Sequence, residues 1–300
     1  MDGFINFLKP PGMTSHDVVA FIRKQLRIKK VGHTGTLDPG VAGVLPICVG
    51  KATRLAEYIV DRPKSYRAEM TLGITTDSQD AYGQVLSQND CTGIKEEDLK
   101  KVLLSFCGPQ SQIPPMTSAI RQGGVRLYNL ARQGIEIERK PRHVTIYRIN
   151  LIKSDWQLPF PKVIFDVQCS KGTYIRALCH DIGKKLGVGA YMSFLIRTQT
   201  GIFSVNNAWT GEEIAASLRK DDFSFISPME EGISFIPVIA AGAEQVRDLI
   251  HGKTVVLPRP YPINKIYQVH DENNKLIAIG RVVAEKENIL FKPDKVLASS

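Results

Sequence analysis

Apolar residues recur every three or four positions in several segments of the chain, and this spacing predicts amphipathic helices. In TSHDVVAFIRKQLRIKK the apolar positions run from Val18 to Leu26 at helical spacing. Thr14 stands at the N-cap position with Asp17 three residues later, which predicts a capping box. The same reasoning predicts helices in KATRLAEYIVDR, TGIKEEDLKKVLLSF, TYIRALCHDIGKKLG and TGEEIAASL.

Other segments have the alternation of a half-buried strand. In KSYRAEMTL the side chains of Tyr66, Ala68, Met70 and Leu72 fall on one face, and mainly polar side chains fall on the other. VLPICVG and VIFDVQCS are short apolar runs typical of buried strands. The second of these runs leads into the helix TYIRALCHDIGKKLG, for which we expect Thr173 to be the cap, Arg176 to lie in the first turn and Gly187 to end the helix.

The pattern changes near residue 235. From there short strand-like runs (TVVL, KIYQVH, KLIAIGRVVA, NILFKP) alternate with turn signals such as DENN and LPRPYPI. A chain of 300 residues with 43% hydrophobic content is long enough for one large core and a smaller second domain. The sequence therefore predicts an α+β body, with strands and helices mixed, followed by a compact β-rich domain.

Charge points to the kind of partner. The chain has 39 Lys and Arg against 30 Asp and Glu, a net charge of +9, which favours a polyanion such as nucleic acid. One basic cluster lies within residues 23–30, and a second lies in TSAIRQGGVRLYNLARQGIEIERKPRH. Each cluster has the alternative interpretation of a solvated surface, and composition does not separate RNA from DNA.

Several classes of site lack a sequence signal. The five cysteines form no CxxC pair, which argues against a zinc site or a disulfide framework and favours reduced thiols. The sequence contains no HExxH, GxSxG or complete P-loop motif, so no metal or cofactor is expected. No apolar run is long enough to span a membrane and no secretory signal is present, so we expect a cytoplasmic protein.

The loop GHTGTLDPGVAGVLP holds a single carboxylate, that of Asp38. Its glycines permit close backbone approaches, and Pro39 biases Asp38 towards an extended conformation, so the carboxylate can project rigidly. An acid projected near a basic surface is a candidate nucleophile or general base. An Asp in such a loop more commonly closes an Asx turn, and local chemistry leaves both interpretations open.

The same loop resembles the catalytic-aspartate motif of the B-type tRNA pseudouridine synthases, the TruB family. KPPGMTSHDV resembles the family's opening motif, and KSYRAEMTLGITTDSQDAYG its tyrosine strand and acidic loop. QIPPMTSAIRQGGVRLYNLARQG resembles its RNA-gripping insertion, CSKGTYIRALCHDIGKKLG its arginine helix, FLIRTQTGIFSV its leucine segment, and the tail its PUA domain. The resemblance implies a pseudouridine synthase fold with a mixed, largely antiparallel sheet flanked by helices. It also implies a catalytic domain over 1–235, with the insertion at about 110–143, and a PUA RNA-binding domain over 236–300.

By this resemblance the chain isomerises uridine-55 in the T-arm of tRNA to pseudouridine without cofactor or metal. Asp38 matches the family's nucleophilic aspartate, Arg176 its partner arginine and Tyr66 its active-site tyrosine, although an inward Tyr on a strand is more commonly a core residue. Substrate-binding roles are implied for His33, Lys64, Leu195, Arg121 and Tyr174.

The insertion departs from the family pattern at three positions. Thr117 stands where the family commonly has an aromatic residue, Arg121 where lysine is usual, and Gly123 where asparagine is usual. The resemblance further implies tRNA as the partner, extrusion of the target base, a monomer and no guide RNA. Two alternatives stay open: the relatives that work with a guide RNA, and a protein whose main role is RNA binding or tRNA folding.

Overall fold

The structure is a computed structural model that describes residues 1–118, 120–258 and 261–298. The side chains at positions 121, 122, 126, 128 and 132 lie outside that description. The strands before residue 235 are β1 (Gly3–Lys9), β2 (Val31–His33), β3 (Ala42–Val49), β4 (Lys64–Leu72), β5 (Ile74–Thr76), β6 (Val85–Gln88), β7 (Gly108–Gln112), β8 (Arg121–Gln122), β9 (Val125–Arg126), β10 (Arg142–Asp155), β11 (Lys162–Cys169), β12 (Ala190–Thr200) and β13 (Phe203–Ser204).

The described residues contain eight α-helices. They are α1 (Ser15–Leu26), α2 (Ala56–Val60), α3 (Glu96–Ser105), α4 (Leu127–Arg132), α5 (Ile175–Lys185), α6 (Gly211–Leu218), α7 (Met229–Gly232) and α8 (Ala243–Ile250). Five of these eight helices lie in segments predicted to be helical, and α4, α7 and α8 were not predicted. The capping box of Thr14 with Asp17 is confirmed. In KATRLAEYIVDR a 3₁₀ helix, Gly50–Leu55, precedes α2.

One predicted cap is wrong. The N-cap of α5 is Tyr174, and no side chain caps it. The hydroxyl of Thr173 instead donates to the carbonyl of Ser170 at 2.9 Å, because the chain turns back on itself between β11 and α5. The other two expectations for this helix are confirmed: Arg176 is its second residue, and Gly187 follows its end with a φ of 80°.

The described residues before 235 form a nine-stranded sheet with the order β1-β3-β12-β4-β11-β10-β7, to which β2 and β13 add at β3 and β12. Neighbours are antiparallel except β3 and β12, which run parallel. The predicted α+β class with a mixed, largely antiparallel sheet is therefore confirmed.

The main core explains why some strands alternate and others are apolar throughout. Ala68, Met70 and Leu72 of β4 pack into this core together with residues of α1, α3 and α5. Strand β3 is buried on both faces: Leu45 packs into the main core, and Val44 packs into a second cluster. A strand covered on both sides has no solvent face, so VLPICVG reads as a continuous apolar run.

The C-terminal part of the chain forms its own sheet. Its strands are β14 (Val238–Ala240), β15 (Val255–Val256), β16 (Ile266–His270), β17 (Leu276–Glu285) and β18 (Asn288–Val296), in the order β14-β16-β17-β18-β15. The four predicted strand-like runs are confirmed as β15 to β18, whereas β14 and helix α8 were not predicted. A separate apolar cluster fills this unit.

An apolar contact joins the C-terminal sheet to the body. Leu276, Ile279 and Leu297 share one buried cluster with Leu55 and with Phe203. All five side chains are at most 5% exposed, so the two units dock through a dry interface. None of the helices described is both long enough and apolar enough to cross a membrane.

Candidate active site

Backbone hydrogen bonds and one buried serine hold the loop that carries Asp38. The N–H of Val41 donates to the carbonyl of Asp38 at 3.0 Å and closes the turn through the backbone. The Ser15 hydroxyl, at the start of α1, accepts from the Leu37 N–H at 2.9 Å and donates to the Leu37 carbonyl at 3.3 Å. The residue before Asp38 is thus tied to α1, and the Asp38 carboxylate is left free for other contacts.

A buried lysine ties the opening segment of the chain to the same loop. Lys9 is fully buried, and its Nζ donates to the carbonyls of Pro10 at 2.9 Å, Met13 at 2.7 Å and Pro39 at 3.2 Å. Burial lowers the pKa of Lys9 to about 8, and the negative charge of Asp38 opposes part of that shift. Lys9 therefore places a cation behind the loop and fixes the residue that follows Asp38.

The Asp38 carboxylate pairs with the arginine of α5. Nη2 of Arg176 lies 2.9 Å from Oδ2 of Asp38, and Nη1 lies 3.3 Å from Oδ2 of Asp80. The Arg176 side chain is 5% exposed and that of Asp38 is 47% exposed. A guanidinium keeps its charge in proteins and binds carboxylates through charge-assisted hydrogen bonds. The pair therefore consists of a solvent-accessible carboxylate and a buried arginine whose position is fixed.

Nη1 of Arg176 also contacts two residues from distant parts of the chain. It donates to the carbonyl of Ser78 at 3.2 Å and to Oγ1 of Thr117 at 2.5 Å. Asp80 is held in turn, since its Oδ1 accepts from the Ser78 hydroxyl at 2.6 Å and from the Tyr82 N–H at 3.0 Å. The acidic loop after β5 and the segment between β7 and β10 thus meet at this guanidinium.

Tyr66 lies next to a second buried arginine. Tyr66 on β4 and Arg197 on β12 are cross-strand partners. Nε of Arg197 donates to the carbonyl of Val44 at 2.7 Å, and Nη2 donates to that of Gly35 at 3.3 Å. Burial raises the pKa of Tyr66, while the charge of Arg197 opposes the shift. Arg197 thus links the tyrosine strand to the loop before Asp38.

The Asp38–Arg176 pair lies in a large open cleft of about 1520 Å³. This volume exceeds the roughly 300–1,000 Å³ of most small-ligand pockets, which suits a macromolecular substrate. The wall includes Asp38, Arg176, Leu195, Thr117, Tyr82 and Phe194. Tyr82 and Phe194 are 80% and 48% exposed, so aromatic faces are available at the rim.

Comparison with known proteins identifies the family of this chain. The model of the TruB family pseudouridylate synthase (N terminal domain) matches residues 23–175, and that of the tRNA pseudouridylate synthase B C-terminal domain matches residues 176–234. The chain belongs to the TruB family. It is therefore a pseudouridine synthase, an isomerase that acts on tRNA.

Relatives of this TruB family member match over most of their length. The tRNA pseudouridine synthase B of Symbiobacterium thermophilum is 50% identical over 253 residues, which cover 84% of this chain and 82% of the relative. The protein of the same name from Moorella thermoacetica is 44% identical over 98% of this chain and 99% of its own. Among solved structures, an H/ACA RNP bound to a substrate RNA containing 2′-deoxyuridine is similar, with a TM-score of 0.76 and 28% identity over 99% of this chain and 85% of that chain.

The structure brings together some of the site residues expected for the TruB family. Of the described residues expected in the site, Asp38, Arg176 and Leu195 line the cleft. Tyr66 does not line it, yet lies close enough for the charge of Asp38 to raise its pKa. His33 is part-buried behind the loop, with its ring centroid 5.7 Å from that of His16, which does line the cleft.

Lys64 and Tyr174 have other surroundings. Lys64 is buried, and its Nζ donates to the carbonyls of Val60 and Arg62, so the ammonium faces the end of α2 and is not at the cleft rim. The backbone of Tyr174 exchanges hydrogen bonds with the Gln112 side chain at 2.8 and 3.0 Å. The Arg121 side chain lies outside the described residues.

Sequence reasoning missed Lys9, Ser15, Asp80 and Arg197 as individual site residues. Two of them carried a signal. Arg197 directly follows the apolar run FLI, and Lys9 directly follows the mostly apolar run FINFL. A charge that the strand pattern turns inward is costly unless it has partners, which marks such positions for scrutiny.

Proposed function

We propose that this TruB family member converts uridine-55 in the tRNA T-arm to pseudouridine, with Asp38 and Arg176 as its central catalytic pair. The observation that carries the proposal is their 2.9 Å contact inside the cleft, with the carboxylate 47% exposed and the arginine 5% exposed. The chemistry needs an ionised carboxylate that the substrate can reach, and a buried guanidinium supplies a fixed counter-charge for it.

The reaction is an isomerisation in which one bond replaces another. The N1–C1′ glycosidic bond breaks, the uracil turns within the site, and C5 bonds to C1′; C5 loses a proton and N1 gains one. Asp38 acts on the nucleotide during bond cleavage. Tyr66, polarised by the Arg197 guanidinium, takes part in the proton transfer at C5. The target base leaves its stack to reach Asp38, at a cost of a few kcal/mol.

Binding of tRNA rests on charge and on two accessory regions. The net charge of +9 favours phosphate contacts, which weaken as salt is added. We assign residues 236–300 to a PUA domain and residues 110–143 to an RNA-gripping insertion. The separate five-stranded sheet with its own apolar cluster supports the first assignment, and the position of Thr117 and Ile135 in the cleft wall supports the second.

We further propose that the enzyme works as a monomer, without a guide RNA, in the cytoplasm. The five cysteines are all free, which fits a reducing compartment. The similar solved structures include an H/ACA RNP and a Cbf5-Nop10-Gar1 complex, in which the related chain is part of a larger assembly. Pseudouridine formation by the purified chain on a bare tRNA transcript would separate the two modes of action.

The decisive experiment compares Asp38→Asn with the wild type on such a transcript. We expect the variant to bind tRNA with unchanged affinity and to form no pseudouridine, whereas the wild type modifies position 55. Asp166→Asn is a matched control, since it breaks another Asp–Arg pair, that with Arg67, on the sheet. Normal turnover by Asp38→Asn, or modification at another position only, would contradict the proposal.

A further inference from the structure

A side chain of the insertion region reaches the catalytic pair. The segment between β7 and β10 carries the hairpin β8–β9 and helix α4. Within it, Oγ1 of Thr117 accepts a hydrogen bond from Nη1 of Arg176 at 2.5 Å, although the two residues are 59 positions apart. A region expected to grip RNA is thus in direct contact with the arginine that pairs with Asp38.

Both protons of this arginine nitrogen are used in hydrogen bonds. Nη1 donates to Thr117 Oγ1 at 2.5 Å and to the Ser78 carbonyl at 3.2 Å, and the charged Asp80 Oδ2 lies 3.3 Å away as an ion-pair partner. A guanidinium only donates, so the threonine oxygen is the acceptor and its own proton can be donated elsewhere. Thr117 also lies in the cleft wall.

We propose that Thr117 is a positioning residue that fixes the Arg176 guanidinium in its geometry beside Asp38. The proposal rests on the proposed function, since it takes that pair as catalytic. When the Thr117 hydroxyl is present, its neutral oxygen accepts a hydrogen bond from Nη1. That proton is then not available to Asp80, which limits how far Asp80 attracts the guanidinium. When the hydroxyl is absent, Nη1 turns towards Asp80, and Nη2 is drawn from its position beside Asp38.

The chemistry of threonine makes the contact between Thr117 and Arg176 easy to test. The hydroxyl is the only polar group of the Thr117 side chain, so it alone can accept a proton from Nη1. Its removal and its retention can be tested with side chains of nearly the same shape.

The test compares Thr117→Val with Thr117→Ser in the full-length protein. Valine keeps the shape and removes the hydroxyl, whereas serine keeps the hydroxyl and removes a methyl group. We measure the single-turnover rate of pseudouridine formation with enzyme in saturating excess over tRNA, and the Kd for tRNA separately. Thr75→Val is the control, because it removes a hydroxyl that bonds to Ser87 at 2.7 Å in the β5–β6 hairpin.

We expect Thr117→Val to lower the single-turnover rate about 10- to 100-fold, the range for one lost hydrogen bond to a charged group. The Kd should change less than about twofold, and Thr117→Ser should keep a near-normal rate, because a positioning role acts on chemistry through the hydroxyl. A structural role would instead lower the melting temperature and leave the serine and valine variants alike. If Thr117→Val folds poorly, Thr117→Ala should show the same loss of rate with unchanged affinity.

Three results would overturn the proposal: a normal rate for Thr117→Val, equal losses for valine and serine, or a loss confined to the Kd. Asp38→Asn distinguishes these from failure of the proposed function. An inactive Asp38→Asn together with a normal Thr117→Val refutes only the role of Thr117. An active Asp38→Asn refutes the catalytic pair itself.

Discussion

Ser15→Ala is expected to loosen the loop of Asp38 without removing any side chain of the proposed catalytic pair. Ser15 is 2% exposed, and its hydroxyl is bonded to both the N–H and the carbonyl of Leu37. The substitution removes one oxygen and leaves these two backbone groups without that partner. The change acts on the peptide that leads directly into Asp38.

The size of the effect follows from the burial. A buried backbone donor left without a partner costs about 1–3 kcal/mol. For a domain of this size each kcal/mol lowers the melting temperature by about 2–4 °C, so we expect a fall of about 2–12 °C. A shift of about 1 Å in a reacting group costs about 100-fold in rate. The single-turnover rate should therefore fall about 10- to 100-fold while tRNA affinity is retained.

Thermal unfolding and single-turnover pseudouridine formation measure these two effects separately. Thr34→Val is the matched control: its hydroxyl donates to the Pro46 carbonyl at 3.3 Å, and that carbonyl keeps the Thr34 N–H at 3.1 Å. The control should be almost neutral in both assays. A Ser15→Ala protein that melts early yet reacts at the normal rate would refute the idea that Ser15 positions Asp38.

Other regions yield further predictions. Arg197→Lys keeps a positive charge but loses the forked donors, so the single-turnover rate should fall, and a double-mutant cycle with Tyr66→Phe should show a non-additive loss; additive losses would mean that the two side chains act separately. Leu55→Ala removes a fully buried side chain from the interface between the two units and should destabilise the protein by about 2–5 kcal/mol in denaturant unfolding, whereas a loss below about 1 kcal/mol would argue against a dry interface. In the native protein a thiol reagent should label only Cys107 rapidly, because the other four cysteines are buried and burial raises the pKa of Cys48 to about 12; fast labelling of a second thiol would contradict this.

Local signals account for most of the elements that the sequence predicted. The capping box of Thr14 with Asp17 joins residues that are close in sequence, so the start of α1 can be predicted without knowledge of the fold. Thr173 has the right residue type for a cap but bonds to Ser170 instead, since the turn after β11 competes for its hydroxyl. Helix α8 was not predicted, because the tail was interpreted from its short strand-like runs as a β-rich domain.

The candidate site likewise has a part that local sequence signals predict and a part that only the fold reveals. The loop of Asp38 is local, and its glycines and prolines mark it in the sequence. Its pairing with Arg176 was expected only from the family resemblance, because nothing along the chain brings the two segments together. The contacts of Arg197 and Lys9 depend wholly on strand pairing and burial. Their partners are mostly backbone carbonyls, which every residue carries, so the sequence does not show which residues they contact.

The asymmetry of the central pair suggests how the fold prepares the site for reaction. Arg176 is enclosed by protein and bound to Ser78, Asp80 and Thr117, so its position is set before a substrate arrives. The Asp38 carboxylate is half exposed, and its loop is fixed from behind by other residues. Groups ordered during folding need no reorganisation when charge develops in the reaction. Variants behind the loop should therefore slow the chemical step more than they weaken tRNA binding.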